Sequence, residues 1–386
     1  MCVRGGLSEW TAPDRPLTPH CPVREGVGCR MEGTSSRALR AAIVGCGRMG
    51  GLIDDEVRDY PGVLLPYGHA GAYVAAPGVD LVAAADIDAG RLRQFADRFG
   101  IPEGFTDYRE MLAVVRPDIV SITTQTVGRA QVARDAVAAG VRAIYCEKAF
   151  ACSLAEADDL VAACRAAGVT FNIGTSRRYD PGYRTARALL AAGELGAPRL
   201  AVAYAPGHLM HTHSHTIDTL LYLLGDPEVE EVQGQLAVPA VAGRRLPEDP
   251  PLAWAQFRCV GGARGVLLAA PGRYEFEVVG TEGGLLASNN GHTATWALRR
   301  PGPLRQGGMG VWEIAPFPEH DRSVSATLRA VTELAEAVRT GTPTSGGTGV
   351  ALRQMEVGVA IAESHLRGGT AVALPLPDRD LYIPSR

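Results

Sequence analysis

The run Ala41-Ala42-Ile43-Val44 leads without a break into Gly45-Cys46-Gly47-Arg48-Met49-Gly50. A short apolar strand thus feeds a complete G-x-G-x-x-G turn. Gly45 permits the sharp turn, Gly47 lets main chain approach a pyrophosphate, and Gly50 lets the next helix pack against the strand. Unpaired amides where that helix starts favour a negatively charged group. A Gly-rich turn also fits a plain strand–turn–helix corner, so the reading depends on what surrounds it.

A second apolar run, Val79 to Ala85, ends in Asp86-Ile87-Asp88. A carboxylate there accepts hydrogen bonds from adenosine ribose hydroxyls and repels a 2′-phosphate. No Arg directly follows Asp86, which points to NAD over NADP; a solvated turn Asp is the plainer alternative. The stretch from Gly50 to Asp86 is longer than the ~20 residues of a minimal unit. The surplus, Gly51 to Tyr67, carries Asp54, Asp55, Glu56 and two prolines. It is expected to form a surface loop near the cofactor mouth.

Strands and helices then alternate. Asp118 to Thr124 reads as a strand, Ala130 to Ala139 as a helix closed by Gly140, and Val141 to Cys146 as the next strand. Ser153-Leu154-Ala155-Glu156 is a capping box opening a helix that stops at Gly168, and Val169 to Ile173 is one more strand. This rhythm predicts a parallel, doubly wound sheet.

Composition narrows the function. The 386 residues suffice for two domains. A net charge of −4 without a basic stripe argues against nucleic acid, and no apolar run reaches the ~20 residues that span a bilayer. Eight cysteines without C-x-x-C spacing suit reduced thiols in a cytoplasm. Residues 1–38, rich in Arg, Gly, Pro and Ser but lacking an apolar core, are expected to be a disordered extension rather than a secretory signal. Met31 is an alternative start.

Beyond the first half, three more motifs follow in order. Tyr145-Cys146-Glu147-Lys148-Ala149 ends a strand, Thr175-Ser176-Arg177-Arg178-Tyr179-Asp180-Pro181 follows the next, and His215-Thr216-Ile217-Asp218 precedes an apolar helix. Together with the glycine turn they resemble the Gfo/Idh/MocA family of NAD(P)-dependent sugar and cyclitol oxidoreductases. The resemblance runs from about Arg40 to Leu376 and includes Gly346-Gly347-Thr348-Gly349 and Ala362-Glu363-Ser364 near the C-terminus. It implies an α/β Rossmann domain over residues 39–172. An α+β domain over 173–386 would follow, its large, mostly antiparallel sheet making dimer or tetramer contacts. Local sequence agrees: Pro198 to Tyr204, Trp254 to Cys259, Gly265 to Ala270 and Tyr274 to Val279 run apolar or alternate at strand length. Long helices are expected at Ala326 to Arg339 and Val350 to Leu366.

The resemblance also assigns residues. Gly45, Gly47, Arg48, Met49, Gly50, Asp86, Thr124, Glu147 and Lys148 would meet NAD. Lys148 would aim its ammonium at a substrate oxygen that becomes alkoxide-like. The family's Glu-Lys-Pro reads Glu147-Lys148-Ala149 here. The family also places a base histidine four residues after an Asp and three before another. His215 and Asp218 match, but His211 stands at the first Asp. An imidazole can accept, donate or carry charge where a carboxylate only accepts, so His211 either orients a hydroxyl directly or shares a proton with His215. Arg178, Tyr179, His211 and Asp218 would line the substrate pocket, and one arginine could hold a carboxylate. An arginine bracing the junction through Glu147 or Asp180 explains the pair equally well. Gln125 and Arg129 replace the family's usual residues and would alter contacts to ribose or substrate, and Tyr183 is a further pocket candidate.

Four histidines fall in His208-x-x-His211-x-His213-x-His215. His211 and His215 could share a helix face and chelate zinc, but Pro206-Gly207 suggests a helix starting only near Ser214. Two ligands without a nearby Cys make an incomplete site, so no metal is expected. The reading is a cytoplasmic, homo-oligomeric NAD-dependent dehydrogenase for a secondary hydroxyl of a sugar, cyclitol or glycoside. A redox-neutral lyase, hydrolase or epimerase working through a transient keto-sugar would use the same residues. A non-catalytic dinucleotide or sugar sensor on this fold is a third reading.

Overall fold

Strand β1 (Leu39–Val44) is apolar except for Arg40 and almost wholly buried, as a strand covered on both faces must be. After it come a short π-helical turn over Arg48–Leu52, α1 (Ile53–Val57), α2 (His69–Ala75), β2 (Val79–Ala85), α3 (Ala89–Phe99) and β3 (Glu103–Phe105). The chain continues through α4 (Tyr108–Val115), β4 (Ile119–Ile122), α5 (Arg129–Ala138), β5 (Ala143–Cys146), α6 (Leu154–Ala167) and β6 (Thr170–Ile173). The structure is a computed structural model describing residues 37–240, 243–291, 296–302 and 311–385. The expected N-terminal extension lies outside them, apart from Arg37 and Ala38. Ala38 to Arg386 form one compact unit.

The six strands pair in parallel in the order β3-β2-β1-β4-β5-β6. Strand order reverses between β1 and β4, which opens a crevice beyond their carboxyl ends. Ser153 caps α6 by accepting from the Glu156 amide at 3.2 Å. Glu156 reaches back to the amide of Cys152 at 2.9 Å, one residue earlier than a strict capping box. Strand β4 stops two residues short of the expected Thr124.

Gly51 to Tyr67 departs only in its first part from the expected surface loop: residues 58–67 are irregular, and Tyr60, Pro61, Val63 and Tyr67 line a cavity in the crevice. The chain is helical as far as Val57, and Asp54 turns inward to accept from the amides of Tyr67 at 2.9 Å and Gly68 at 2.6 Å. One carboxylate thus folds the segment back on itself and seats it against the crevice.

The second half begins with α7 (Pro181–Ala191), β7 (Pro198–Tyr204), α8 (His213–Leu224), β8 (Val229–Leu236), β9 (Leu252–Cys259) and β10 (Arg264–Leu268). Then follow β11 (Glu275–Gly280), β12 (Gly284–Ala287), β13 (Trp296–Pro301), β14 (Trp312–Pro316), α9 (Ala326–Thr340), α10 (Thr348–Leu366) and β15 (Val372–Ala373). The nine strands form one sheet, β14-β13-β12-β11-β7-β10-β9-β8-β15. Only β7 and β10 pair in parallel; the other pairs are antiparallel. Helix α9 does not stay with this sheet. Its Ala330, Val331, Leu334 and Ala335 share a core with Tyr73 and Phe95 of the first half, burying apolar surface that fixes the two sheets around the crevice.

Candidate active site

The glycine turn combines two kinds of constraint. Gly45 has φ +101°, and a Cβ there would lie 2.9 Å from the main chain of Thr123 and Thr124. A Cβ on Gly50 would come within 2.5 Å of the Gly45 carbonyl oxygen. Packing therefore requires both residues. Gly47 differs: nothing lies within 4 Å of where its Cβ would be. Open space over the middle glycine is what a pyrophosphate lying on the main chain needs, so these residues fit a dinucleotide. Asp86 accepts from the amides of Cys46 at 2.8 Å and Asp88 at 2.9 Å, which ties the end of β2 to the turn. Arg91 Nη1 stands 3.8 Å from Asp86, five residues along the chain.

At the end of β5, Glu147 and Lys148 both face the crevice. Glu147 Oε1 lies 3.1 Å from Nε2 of His69, whose Nδ1 is 2.9 Å from Ser121 Oγ. His69 is fully buried and stacks on Tyr145 with ring centroids 4.1 Å apart. Burial pushes the Glu147 carboxyl up, but the His69 hydrogen bond and the charges of Lys148 and Arg129 prevail and hold it below the ordinary range. Lys148 Nζ donates to the carbonyl of His211 at 2.8 Å. Desolvation lowers the affinity of that ammonium for its proton, with nearby Arg129 and Arg48 adding to the effect.

Arg129 was expected near ribose or substrate; it instead lies buried beneath the turn. Its guanidinium donates to the carbonyls of Glu147 at 3.1 Å, Lys148 at 2.7 Å and Ala149 at 2.6 Å, and to that of Thr124. Three consecutive carbonyls gathered on one guanidinium nitrogen, Nη1, fix the main chain that carries Lys148. Thr124 is half-buried, its hydroxyl turned to the Gln125 carbonyl.

On the facing side, Asp249 accepts from the amides of Met210 at 2.8 Å and His211 at 2.7 Å, and from Ser385 Oγ at 3.0 Å. It shapes the loop before α8. His213, not Ser214, is the first residue of that helix. The His213 ring is buried against Thr216 Oγ1 at 3.0 Å and is driven down to about 4 by desolvation. His215 faces the cavity, and its Nδ1 is buried with no hydrogen-bond partner among the described residues. Burial first, then the charges of Lys148, Arg177 and His211, hold its pKa well below the usual histidine value. Among the described residues, no three His, Cys, Asp or Glu side chains are grouped to hold a metal ion.

These walls enclose a cavity of about 790 Å³, within the range of small-molecule sites. Arg48, Met49, Glu147, Lys148, His211 and His215 line it, joined by Tyr67 and Arg177. Three residues expected to touch substrate do not. Arg178 Nε bonds Asp218 at 2.8 Å and its Nη2 bonds Asp226 at 2.6 Å, with 2% of the arginine side chain exposed. The fork is thereby consumed inside the protein, and neither Glu147 nor Asp180 is its partner. Asp218 is fully buried on that arginine, and Tyr179 is fully buried with its hydroxyl on Asn172. Tyr183 packs edge-on against Phe276 and Trp296.

His69, Asp249 and Tyr67 were missed from sequence, as was the role of Arg129 in bracing the main chain of residues 147–149. The conspicuous signal was His69 itself, a lone polar residue opening an Ala-rich helix just past the apparent insertion.

Residues 39–175 match a family described as oxidoreductase family, NAD-binding Rossmann fold, and residues 203–374 match its C-terminal alpha/beta domain. The uncharacterized oxidoreductase YrbE of Bacillus subtilis (strain 168) is 29% identical over 211 residues, covering 51% of this chain and 57% of the relative. The scyllo-inositol 2-dehydrogenase (NAD(+)) of the same organism is 28% identical over 366 residues, covering 87% and 96%. Several relatives are matched over only about half their length. A solved levoglucosan dehydrogenase, in complex with NADH and levoglucosan, superposes with a TM-score of 0.69 at 19% identity, covering 88% of this chain and all of that one.

Proposed function

The chain belongs to the Gfo/Idh/MocA oxidoreductase family, and we propose that it is an NAD-dependent dehydrogenase acting on a secondary hydroxyl of a sugar, cyclitol or glycoside. The observation that carries this reading is a cavity lined at once by Arg48 and Met49 of the glycine turn, by Lys148 and by His215. The residues that would hold NAD are Gly45, Gly47, Arg48, Met49 and Gly50, with Asp86 toward the ribose and Glu147 and Lys148 toward the nicotinamide. When bound, the nicotinamide supplies a two-electron acceptor for the carbon-bound hydrogen.

The chain's own residues do the proton chemistry. His215, held neutral by burial and neighbouring cations, takes the hydroxyl proton as the C–H bond breaks and the C=O bond forms. Lys148 points its ammonium at the same oxygen and stabilises its developing negative charge. His211, tied at both its amide and its carbonyl, orients the substrate. Arg178, Tyr179 and Asp218 act at a distance by holding the wall together. We take residues 39–172 and 173–386 as the cofactor and substrate domains. We also place the protein in the cytoplasm as a homodimer or homotetramer; exposed Trp312 and Ile314 on edge strand β14 support such contacts. Among the described residues, no helix is long and apolar enough to cross a membrane.

The test is spectrophotometric. Purified protein with NAD and a panel of inositols, aldoses, glycosides and sugar acids is expected to accumulate NADH with at least one class. Substrate turnover without net NADH would replace dehydrogenation by a redox-neutral reaction.

A further inference from the structure

Among the described residues four basic side chains, Arg48, Lys148, Arg177 and Arg273, line the cavity, and two are answered by carboxylates of the chain. Arg48 pairs with Glu56 at 2.6 Å, and Arg273 pairs with Glu275. Lys148 makes its bond to a main-chain carbonyl. Arg177 is the anomaly. It is 9% exposed, and its Nε and Nη2 converge on one neutral atom, Oδ1 of Asn290, at 2.9 and 2.6 Å. Its other close neighbours are the rings of Tyr274 at 4.9 Å, Phe276 at 5.2 Å and Tyr183 at 5.9 Å.

Among the described residues no carboxylate pairs with Arg177. Glu147, the sole acid lining the cavity among them, is bound to His69. His211 further removes the negative charge that an Asp at that position would bring. Guanidinium groups desolvated to this degree are ordinarily paired, and the planar fork matches a carboxylate.

We propose that the substrate supplies the missing charge: the site takes a sugar acid, an aldonate or uronate, whose carboxylate sits on Arg177 while its reacting hydroxyl lies between Lys148 and His215. The proposal rests on the dehydrogenase reading. One guanidinium balances a monoanion, which favours a carboxylate over a phosphate dianion.

The experiment pairs each aldose with its aldonate, uronate and sugar phosphate. NADH formation is measured on the wild-type protein, and calorimetric binding to the protein saturated with NADH. Acids are expected to exceed their neutral partners by about tenfold or more in kcat/KM. Arg177→Gln should collapse that ratio, and Arg177→Lys should keep part of it, which separates charge recognition from a folding defect. Neutral sugars or sugar phosphates equal to or better than the acids would overturn the proposal. So would an acid preference that survives Arg177→Gln. Acids that bind through Arg177 without yielding NADH would uphold the carboxylate site and overturn the hydride-transfer reading instead.

Discussion

The ammonium of Lys148 donates to the main-chain carbonyl of His211 across the crevice at 2.8 Å. A strand end of the parallel sheet and the loop before α8 are thereby tied at the point where chemistry is proposed. The contact leaves the other two ammonium hydrogens available to a substrate oxygen.

Lys148→Ala is expected to lower kcat/KM by about 10²-fold or more, the usual cost of losing a group that stabilises a reacting oxygen. NAD affinity, measured by calorimetry, should change little. A variant retaining more than half the wild-type turnover would assign the role elsewhere.

His215 sets the acid limb of the pH profile. A base must be unprotonated, so activity is lost as the pH falls through its pKa. Burial, then the charges of Lys148, Arg177 and His211, hold that value down, so the limb should lie below the ~6.5 of a free histidine. His215→Asn should abolish the limb. His211→Asp replaces a basic ring with a carboxylate and should move the limb to higher pH. The measurement is kcat/KM against pH, and a wild-type limb at or above the free value would contradict the geometry.

Gly47 and Gly50 should fail differently. Gly47→Val places methyl groups in open space and should weaken NAD binding about tenfold or more while leaving Tm nearly unchanged. Gly50→Ala drives a Cβ onto the Gly45 carbonyl and should lower Tm as well. Equal Tm losses in both variants would show that the space over Gly47 is not reserved for a ligand.

Asp218→Asn tests a structural role against a substrate role. Asp226 stays on Arg178 when Asp218 is neutralised, so the loss should fall short of the about 3–5 kcal/mol of an orphaned buried charge and still be a measurable share of a typical ~5–15 kcal/mol stability. Tm should fall by a few degrees, with KM of the folded enzyme unchanged. A raised KM at constant Tm would return Asp218 to the substrate site.

The parallel sheet was legible because its central strands are mostly apolar and its turns are marked by glycine, and Lys148 and His215 because each stands at a recognisable strand end or helix start. What escaped was whatever depends on distant residues meeting. Arg129 finds its carbonyls 18 to 20 positions away, and His69 meets Glu147 78 positions away. The Arg177-Arg178 pair misled for a different reason. Adjacent in sequence, the two sit in a single 3-10 turn that sends Arg177 to the cavity and Arg178 into the core, and no local pattern distinguishes them.

Arg129 grips oxygen atoms that every amino acid possesses. Its hold on residues 147–149 is therefore indifferent to which side chains stand there, and this separates the frame of the turn from its chemistry. Lys148 and Glu147 can be exchanged for other reactive groups in redesign while the main chain beneath them keeps its place. The residue that holds this frame is the arginine, which reaches the chemistry only through its charge beside Lys148.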